Sequence, residues 1–252
     1  MKVNYDLIYT TETKEYFDWV KTAGQWKAQK LYDLLEEDTT QSILEIGAGR
    51  GDVLQACRSF AVKIGADISH KVLLQQQQEY GARKLVVIDA DGDLPFGNQK
   101  VDFVLLCDIL EHVQDPVSLL LEATRVGKKV LLKIPIEKAL LTRFMHKIRG
   151  VEYGIGHPSG HLYCWDLADI YLLLKQANVN ILKGEFVPTP INLMKKKTYM
   201  KTILLYITAG LDVLAGGKRV TRFLIGGSYF AVAKGGCSFA QNQERDGQLC
   251  QQ

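Results

Sequence analysis

The chain has 252 residues, of which 47% are apolar, which is enough for one large domain or one domain with an insertion. Its net charge of +3 is too small to indicate a nucleic-acid partner by itself. The five cysteines contain no C-x-x-C pair, which favours reduced thiols in an intracellular protein over a disulfide framework or a zinc site. The polar first twenty residues and the lack of a run of about 18 uncharged apolar residues argue against a signal peptide and a spanning helix. We therefore expect a cytoplasmic protein.

Residues 14–37 place aromatic and apolar side chains at helical spacing, and Gly24 indicates a break into two helices. One interpretation is a helix that packs on the core. The other is a lid over a ligand, and the aromatic side chains that could face the ligand are those of Tyr16, Trp19 and Trp26. We predict that residues 1–41 form an N-terminal helical lid.

The most informative stretch is SILEIGAGRGD, residues 42–52. A short apolar run typical of a buried strand leads into a turn with glycines at three alternate positions, and a helix is predicted over 52–59. A strand, a glycine turn and a helix in this order predict a nucleotide-type site in an open α/β sheet. Glu45 is unusual in a buried strand, and we interpret it as an acid at the mouth of that site.

Acidic residues follow three predicted strands. Asp67 ends a strand at 61–69, Asp89 follows a strand at 84–88, and Asp108 follows a strand at 101–107. An acid at the position of Asp67 in a βαβ unit accepts hydrogen bonds from ribose hydroxyls. Because the carboxyl ends of parallel strands meet at one edge of the sheet, the three acids predict a ligand crevice there.

The remaining elements continue the alternation of helices and strands. Ser69 is the natural N-cap of a helix over 70–80, whose glutamines at 75–78 are interpreted as solvated surface. Further helices are predicted at 115–125, 136–150 and 166–179, and further strands at 128–135, 180–188 and 228–235.

Four segments together carry a family resemblance: LEIGAGRGD, GADIS, IDADGDLPF and DFVLLCDILEHVQDP. In this order and spacing they resemble the class I S-adenosylmethionine-dependent methyltransferases of small-molecule type. The resemblance covers residues 42–135 and weakens out to 235. The rival interpretation, an NAD-dependent oxidoreductase, needs G-x-G-x-x-G, but Asp52 stands at the third glycine position.

The resemblance implies a Rossmann-like, doubly wound α/β fold with seven strands in the order 3-2-1-4-5-7-6 and the last strand antiparallel. The methyltransferase domain is expected over 42–235, with a helical insertion at 189–226 before the last strand. Residues 236–252 are polar and glutamine-rich, and we expect a disordered tail.

The resemblance also implies S-adenosyl-L-methionine as the cofactor and a role for each matching residue. The methionine part of the cofactor is expected to contact Glu45, Gly47, Ala48 and Gly49. The ribose and adenine are expected to contact Asp67, Ile68, Asp89 and Ala90. The amino-acid end and the methyl group are expected to contact Cys107 and Asp108. His112 is expected near the substrate entrance.

A second loop, GIGHPSGHLYCW at 154–165, contains His157 and His161. It resembles the family segment in which a histidine and aromatic residues face the active site, with His161 as the closest match. A hydroxyl acceptor needs a general base, for which His112 and His161 are the candidates, and Asp108 completes the expected catalytic set. No clustered metal-ligating pattern is visible in the sequence, so no metal is expected.

The insertion at 189–226 combines an apolar stretch with basic flanks, Lys195–Lys197 and Lys218–Arg219. Three interpretations are open: a helical cap over the substrate, a dimer contact and an interfacial membrane patch at 195–222. The cap is favoured, and it requires burial of apolar residues of the insertion. Those residues are Ile203, Leu204, Leu205, Ile207 and Leu211.

The expected function is transfer of a methyl group to a small-molecule, lipid-precursor or glycan acceptor, at oxygen. The fourth motif lacks the Asn/Asp-Pro-Pro-Tyr type of enzymes that methylate bases and amides, which disfavours nucleic acid. The alternatives are a catalytically silent cofactor-binding subunit and, less favoured, an NAD-dependent oxidoreductase. The sequence leaves the oligomeric state open.

Overall fold

A computed structural model of the chain describes residues 13–35, 41–81, 84–89, 91–150, 160–190, 193, 199–214 and 217–236. Several predicted features lie outside the described residues: the tail beyond residue 236, His157, Ala90 and the three lysines at 195–197.

Seven strands form one sheet in the order β3-β2-β1-β4-β5-β7-β6. They are β1 (Ser42–Ile46), β2 (Val62–Asp67), β3 (Lys84–Val87), β4 (Val101–Cys107), β5 (Gly127–Ile136), β6 (Val179–Val187) and β7 (Gly227–Gly235). The first five strands are parallel, and β7 pairs antiparallel with both β5 and β6. The predicted strand order and the antiparallel last strand are confirmed.

The helices lie on the two faces of this sheet and beyond its carboxyl edge. They are α1 (Lys14–Tyr32), α2 (Asp52–Ala56), α3 (His70–Tyr80), α4 (Pro116–Val126), α5 (Leu140–Arg149), α6 (Leu167–Gln176), α7 (Tyr199–Leu214) and α8 (Arg219–Leu224). The helix predicted over 52–59 ends at Ala56, and the helix predicted over 136–150 begins at Leu140, because β5 continues to Ile136.

Two apolar clusters make the core, one on each face of the sheet. Strand β1 contributes Leu44 and Ile46 to one cluster and Ile43 to the other, which explains why its run is continuously apolar and not alternating. Helix α1 packs into the second cluster through Ala28 and Leu31.

Gly24 does not break α1, which runs unbroken from Lys14 to Tyr32, so the predicted break is wrong. A β-carbon at Gly24 would lie 2.9 Å from the backbone carbon of Asp52. Glycine therefore allows α1 to approach the start of α2 closely, and its role is packing. Trp26 meets Phe230 of β7 edge-on at 5.4 Å between ring centroids, so this aromatic side chain packs against the sheet.

The insertion before β7 contains two helices, α7 and α8, in agreement with its predicted helical character. The apolar side chains expected to hold it down as a cap are not buried, because Ile203, Ile207 and Leu211 are all exposed. That part of the prediction is wrong. The side chains of Leu204 and Leu205 lie outside what the structure describes. No helix among the described residues is long and apolar enough to cross a membrane.

Candidate active site

The glycine turn after β1 has the backbone conformation that its composition predicts. Gly47, Gly49 and Gly51 have φ values of 71°, 49° and 78°, a region that side chains disfavour. A β-carbon at Gly47 would lie 2.7 Å from Cδ1 of Ile109, in the segment after β4. The Ala48 N–H donates to the Ala66 carbonyl at 2.9 Å, which ties the turn to the end of β2. The turn is therefore held in place between the end of β2 and the segment after β4.

The side chain of Gln76 in α3 packs against this glycine turn. Its Nε2 donates to the carbonyl of Gly49 at 3.1 Å, and its side chain fills the space that a β-carbon at Gly51 would need. Gln76 is fully buried, so the interpretation of all four glutamines at 75–78 as solvated surface is wrong for this residue. A buried amide beside backbone atoms needs hydrogen bonds, and the Gly49 carbonyl supplies one.

Asp67 lies buried at the end of β2, next to the glycine turn. One carboxylate oxygen accepts the Gly49 N–H at 2.8 Å, and the other accepts the Ser69 N–H at 2.9 Å. Each carboxylate oxygen has two lone pairs, so Asp67 can accept further hydrogen bonds from hydroxyl groups. Ser69 caps α3 as predicted, with its Oγ accepting the Val72 N–H at 3.2 Å.

Two of the residues expected around an adenine ring, Ile68 and Asp89, lie at the exposed part of this edge. Ile68 is 43% exposed and Val87 is 53% exposed, so apolar side chains there face solvent. Asp89 is exposed, and its carboxylate accepts the Asp91 N–H at 3.1 Å. This part of the edge offers an apolar surface beside a carboxylate, which suits a flat ring with a polar rim.

Asp108 is the centre of a charge cluster at the end of β4. Its carboxylate receives a salt bridge from Lys27 of α1 at 2.8 Å and another from Lys133 of β5. Burial opposes ionisation of Asp108, but the two lysines outweigh it and hold the pKa of this carboxyl below its usual value. The backbone of Asp108 has a φ of 54°, and its N–H donates to the Lys133 carbonyl at 3.0 Å. Neither lysine was predicted, since neither stands in a motif.

Glu45 lies in β1, one residue from the strand's end and two before the first glycine of the turn, and is 2% exposed. Its Oε2 has no hydrogen-bond partner among the described residues. Burial raises the pKa of Glu45 to about 8, although Lys27 works in the opposite direction. A buried carboxyl in this state is poised to ionise when a cation reaches it.

His161 and His112 lie together at the same edge, with ring centroids 4.9 Å apart. Nδ1 of His161 lies 2.8 Å from Oε2 of Glu137, and Nδ1 of His112 lies 3.2 Å from the carbonyl of Gly160. The Leu162 N–H donates to the Glu111 carbonyl at 2.7 Å, which fixes the second loop to the segment after β4. The structure therefore brings the two predicted base candidates together and adds Glu137, which was not predicted.

The pKa values of the two histidines move in opposite directions. Burial, together with the neighbouring His161, lowers the pKa of His112 to about 4. Burial also opposes the charged form of His161, but the hydrogen bond and charge of Glu137 outweigh it and raise that pKa. Since a carbonyl oxygen can only accept, the neutral His112 ring carries its hydrogen on Nδ1 and leaves Nε2 as the basic nitrogen.

The nearby acid Glu111 completes a group that could hold a metal ion. Ligand atoms of Glu111, His112 and His161 all lie within 4.8 Å of one another, a grouping that the sequence did not reveal. Glu111 is 1% exposed, and neither carboxyl oxygen has a hydrogen-bond partner among the described residues. Burial, and then the charge of Asp108, raise its pKa to about 8. Cys107 is also buried, which raises the pKa of its thiol.

Comparison with known proteins finds a related family for part of the chain. Residues 44–130, which contain the glycine turn, Asp67 and Asp108, match the family model described as a methyltransferase domain. This part of the chain is similar to methyltransferase domains, and its sheet has the fold of the class I methyltransferases. An uncharacterised protein of Methanocaldococcus jannaschii is 36% identical over 94 residues, which are 36% of this chain and 43% of that relative. The match thus spans less than half of the relative's length.

Solved methyltransferases share the fold of this domain at low sequence identity. One of Haloferax volcanii, in complex with the Trm112 methyltransferase activator, aligns with a TM-score of 0.60 at 16% identity, over 84% of this chain and 91% of that one. An S-adenosylmethionine-dependent methyltransferase of Archaeoglobus fulgidus aligns with a TM-score of 0.58 at 18% identity, over 85% and 94%. Magnesium protoporphyrin IX methyltransferase of Synechocystis, with bound S-adenosylhomocysteine, aligns with a TM-score of 0.55 at 18% identity, over 92% and 88%.

The cofactor of this class of domain is S-adenosylmethionine, and the residues at the carboxyl edge fit it. Gly47 has no room for a side chain because Ile109 packs against it, so the turn keeps a bare backbone at this edge. Asp67 offers buried carboxylate oxygens where ribose hydroxyls are bound in nucleotide folds. The unpartnered oxygen of Glu45 suits an ammonium group.

Proposed function

We propose that the chain transfers the methyl group of S-adenosylmethionine to a hydroxyl oxygen of a small-molecule acceptor, with lipid precursors and glycans in the same class. The observation that supports oxygen as the target is the pairing of His161 with Glu137 at 2.8 Å. A hydroxyl must lose its proton during transfer, and a histidine oriented by a carboxylate is a common general base.

The proposal assigns the cofactor contacts to residues at the carboxyl edge of the sheet. Glu45 binds the ammonium of the methionine part, and the backbone of Gly47, Ala48 and Gly49 lies against it. Asp67 accepts the ribose hydroxyls. Ile68 and Asp89 contact the adenine, and Ala90, which lies outside the described residues, enters only through the family resemblance. Cys107, through its backbone, and Asp108 lie at the amino-acid end, where Lys27 and Lys133 hold the Asp108 carboxylate in place.

The chemistry that the cofactor supplies is a methyl group already activated as a sulfonium. The chain must bring the acceptor oxygen into line with that methyl group and exclude water from the path. His161 takes the hydroxyl proton on its ring, and Glu137 stabilises the imidazolium that results. His112, neutral because its pKa is about 4, lies against His161 and adds no competing charge.

The test is release of S-adenosylhomocysteine against a panel of hydroxylated acceptors: phenols, quinol precursors, lipid-linked alcohols and glycans. His161→Gln should lose at least about 100-fold in turnover while calorimetric affinity for S-adenosylhomocysteine stays within about twofold, as expected when a general base is removed. His70→Gln is the matched control, because His70 is exposed at the start of α3. Turnover confined to amines would contradict oxygen as the target.

Two other outcomes would point away from this proposal. Binding of NAD as tight as that of S-adenosylmethionine would favour an oxidoreductase. Cofactor binding with no turnover on any acceptor would favour a catalytically silent partner subunit, and the Haloferax volcanii complex is an example of a related methyltransferase that associates with an activator.

A further inference from the structure

We infer that the outward face of α5, α7 and α8 docks on an anionic lipid membrane. The apolar side chains that line this face project into solvent. In α5, Phe144 is 57% exposed and Ile148 is 64% exposed, and in α7 Leu214 is 85% exposed. Large apolar side chains grouped on one face are typical of an interaction surface, whereas single exposed ones are ordinary.

Among the side chains of α7 that the structure describes, polar ones are buried and apolar ones are exposed, the reverse of a helix that packs on a core. Its polar residues Thr208 and Asp212 are buried, while Ile207 and Leu211, beside them in the sequence, are exposed. Oδ1 of Asp212 accepts the Val220 N–H at 2.7 Å, and the Thr221 hydroxyl donates to Thr208 at 3.0 Å. Specific hydrogen bonds therefore hold α7 against α8 through its polar side, which leaves the apolar side outward.

The charges of these segments complement an anionic surface. Residues 138–150 and 195–226 contain eleven of the chain's 31 lysines and arginines and only one of its 28 acidic residues. That acid is Asp212, which is buried and hydrogen-bonded to α8. The two segments thus have a net charge of +10, and the rest of the chain has −7. An apolar face flanked by basic residues is the signature of an interfacial, non-spanning contact with anionic lipid.

The outward face belongs to helices at the same end of the sheet as the candidate active site. Helix α5 follows the carboxyl end of β5, and α7 and α8 connect the carboxyl end of β6 to the start of the antiparallel β7. The hydroxyl of Thr142 donates to the Ile225 carbonyl at 3.2 Å, which joins α5 to the end of α8. All three helices therefore lie beyond the same edge of the sheet as Asp67 and Asp108, so a docked membrane faces that edge.

A second copy of this chain fits the face less well than a membrane does. A two-fold contact would set two faces of the same strongly positive charge against each other. Self-association through this face is therefore an outcome that the experiment below must be able to detect.

The experiment is co-sedimentation of the full chain with vesicles of phosphatidylcholine containing about 30% phosphatidylserine, compared with phosphatidylcholine alone, at low and high salt. We expect at least about tenfold tighter binding to the anionic vesicles, with most of that difference lost in high salt. Equal binding to both kinds of vesicle, or no binding to either, would overturn the inference.

Two variants assign the binding to this face. Ile207→Ser/Leu211→Ser/Leu214→Ser removes the apolar contact, and Arg143→Gln/Lys147→Gln/Arg222→Gln removes the charge. Each should weaken binding to anionic vesicles by at least about tenfold. The matched controls are Leu121→Ser/Leu172→Ser, which are exposed on α4 and α6, and Lys71→Gln/Lys84→Gln near β3. Controls that weaken binding as much as the variants would contradict the assignment.

Two further measurements test whether the variants are folded and whether the face mediates self-association. Calorimetric affinity for S-adenosylhomocysteine should be the same in all variants, which shows that the domain is folded and separates this inference from the proposed reaction. Analytical ultracentrifugation should find the same mass for the wild type and both variants. A dimer that dissociates when the apolar variant is made, together with no vesicle binding by the wild type, would assign the face to self-association instead.

Discussion

The ammonium group of Lys27 lies 2.8 Å from Oδ2 of Asp108, so a charge on α1 is fixed at the end of β4. Lys133 binds the other oxygen of the same carboxylate. Burial disfavours the charged form of Lys27, but Asp108 and its neighbours outweigh this and raise the lysine's pKa. Helix α1 is therefore part of the wall of the site, tied to it by an ion pair as well as by apolar packing.

Removal of this ion pair should destabilise the fold. Lys27→Met keeps the length of the side chain and leaves Asp108 with Lys133 alone, so we expect a loss of about 1–3 kcal/mol in the free energy of unfolding. This is less than the 3–5 kcal/mol of a fully buried pair, because about a quarter of each side chain is accessible. The control is Lys30→Met, whose pair with Asp33 is more exposed and should contribute less than about 1 kcal/mol. Denaturant unfolding measures both.

The stability difference between the wild type and Lys27→Met should depend on pH. Because the pKa of Asp108 is lower in the folded state than in the unfolded chain, its ion pairs stabilise the fold above about pH 4 and lose that effect as the pH falls. The advantage of the wild type over Lys27→Met should therefore be constant near neutral pH and shrink below about pH 4. A difference that stays constant down to pH 2 would mean that Lys27 acts by packing.

The strand order could be predicted because alternating β and α segments permit few arrangements, and the acids at the strand ends lay where the sheet places them. The Lys27–Asp108 contact could not, because 81 positions separate the two residues and no motif includes Lys27. Gln76 was missed for a similar reason. It stands in a run of four glutamines, and only the angular position on α3 turns this one towards the glycine turn.

The orientation of α7 could not be predicted from the sequence, for a different reason. Its apolar residues recur at helical spacing, which indicates a buried side in the sequence but does not identify what buries it. The hydrogen bonds from Asp212 to α8 decide the orientation, and they depend on a tertiary contact that periodicity does not encode. The expected burial of Ile203, Ile207 and Leu211 was therefore wrong.

Gln76 provides a second stability test. Gln76→Ala removes the bond to the Gly49 carbonyl and empties the space beside Gly51, so we expect a loss of about 1–3 kcal/mol in unfolding free energy. Affinity for S-adenosylhomocysteine should fall as well, since the turn loses its support. Gln78→Ala is the control, because Gln78 is exposed in the same run. Equal effects of the two substitutions in thermal unfolding and calorimetry would show that Gln76 does not hold the turn.

Glu45 should release a proton when the cofactor binds. Burial raises its pKa to about 8, so the free protein is mostly protonated there at pH 7, and an ammonium group beside it favours the carboxylate. Calorimetry with S-adenosylmethionine in two buffers of different ionisation enthalpy should find up to one proton released. Glu45→Gln should abolish that release and weaken binding about tenfold, equivalent to about 1.4 kcal/mol. A proton count unchanged by the substitution would remove Glu45 from the ammonium site.

Chelators should leave turnover unchanged, although Glu111, His112 and His161 are close enough to hold a cation. Burial raises the pKa of Glu111 to about 8, so it is mostly a neutral acid at pH 7 and would have to lose a proton before it could bind a metal. The measurement is turnover after dialysis against EDTA, with and without added magnesium or manganese. A loss of activity that added metal restores would instead assign these three side chains to a metal site.

The pH profile of turnover should identify which histidine is the base. A general base must be neutral, so kcat/KM should rise with pH through the pKa of the residue that acts. Glu137 raises the pKa of His161 above its usual value of about 6.5, whereas His112 has a pKa of about 4. If His161 is the base, the midpoint of the rise lies above about pH 6.5. Glu137→Gln then moves that midpoint to lower pH, because the carboxylate that raises the pKa is gone, and lowers the plateau by about 10- to 100-fold through loss of orientation. Glu185→Gln on β6 is the control and should leave the profile in place. A midpoint near pH 4 in the wild type would instead make His112 the base.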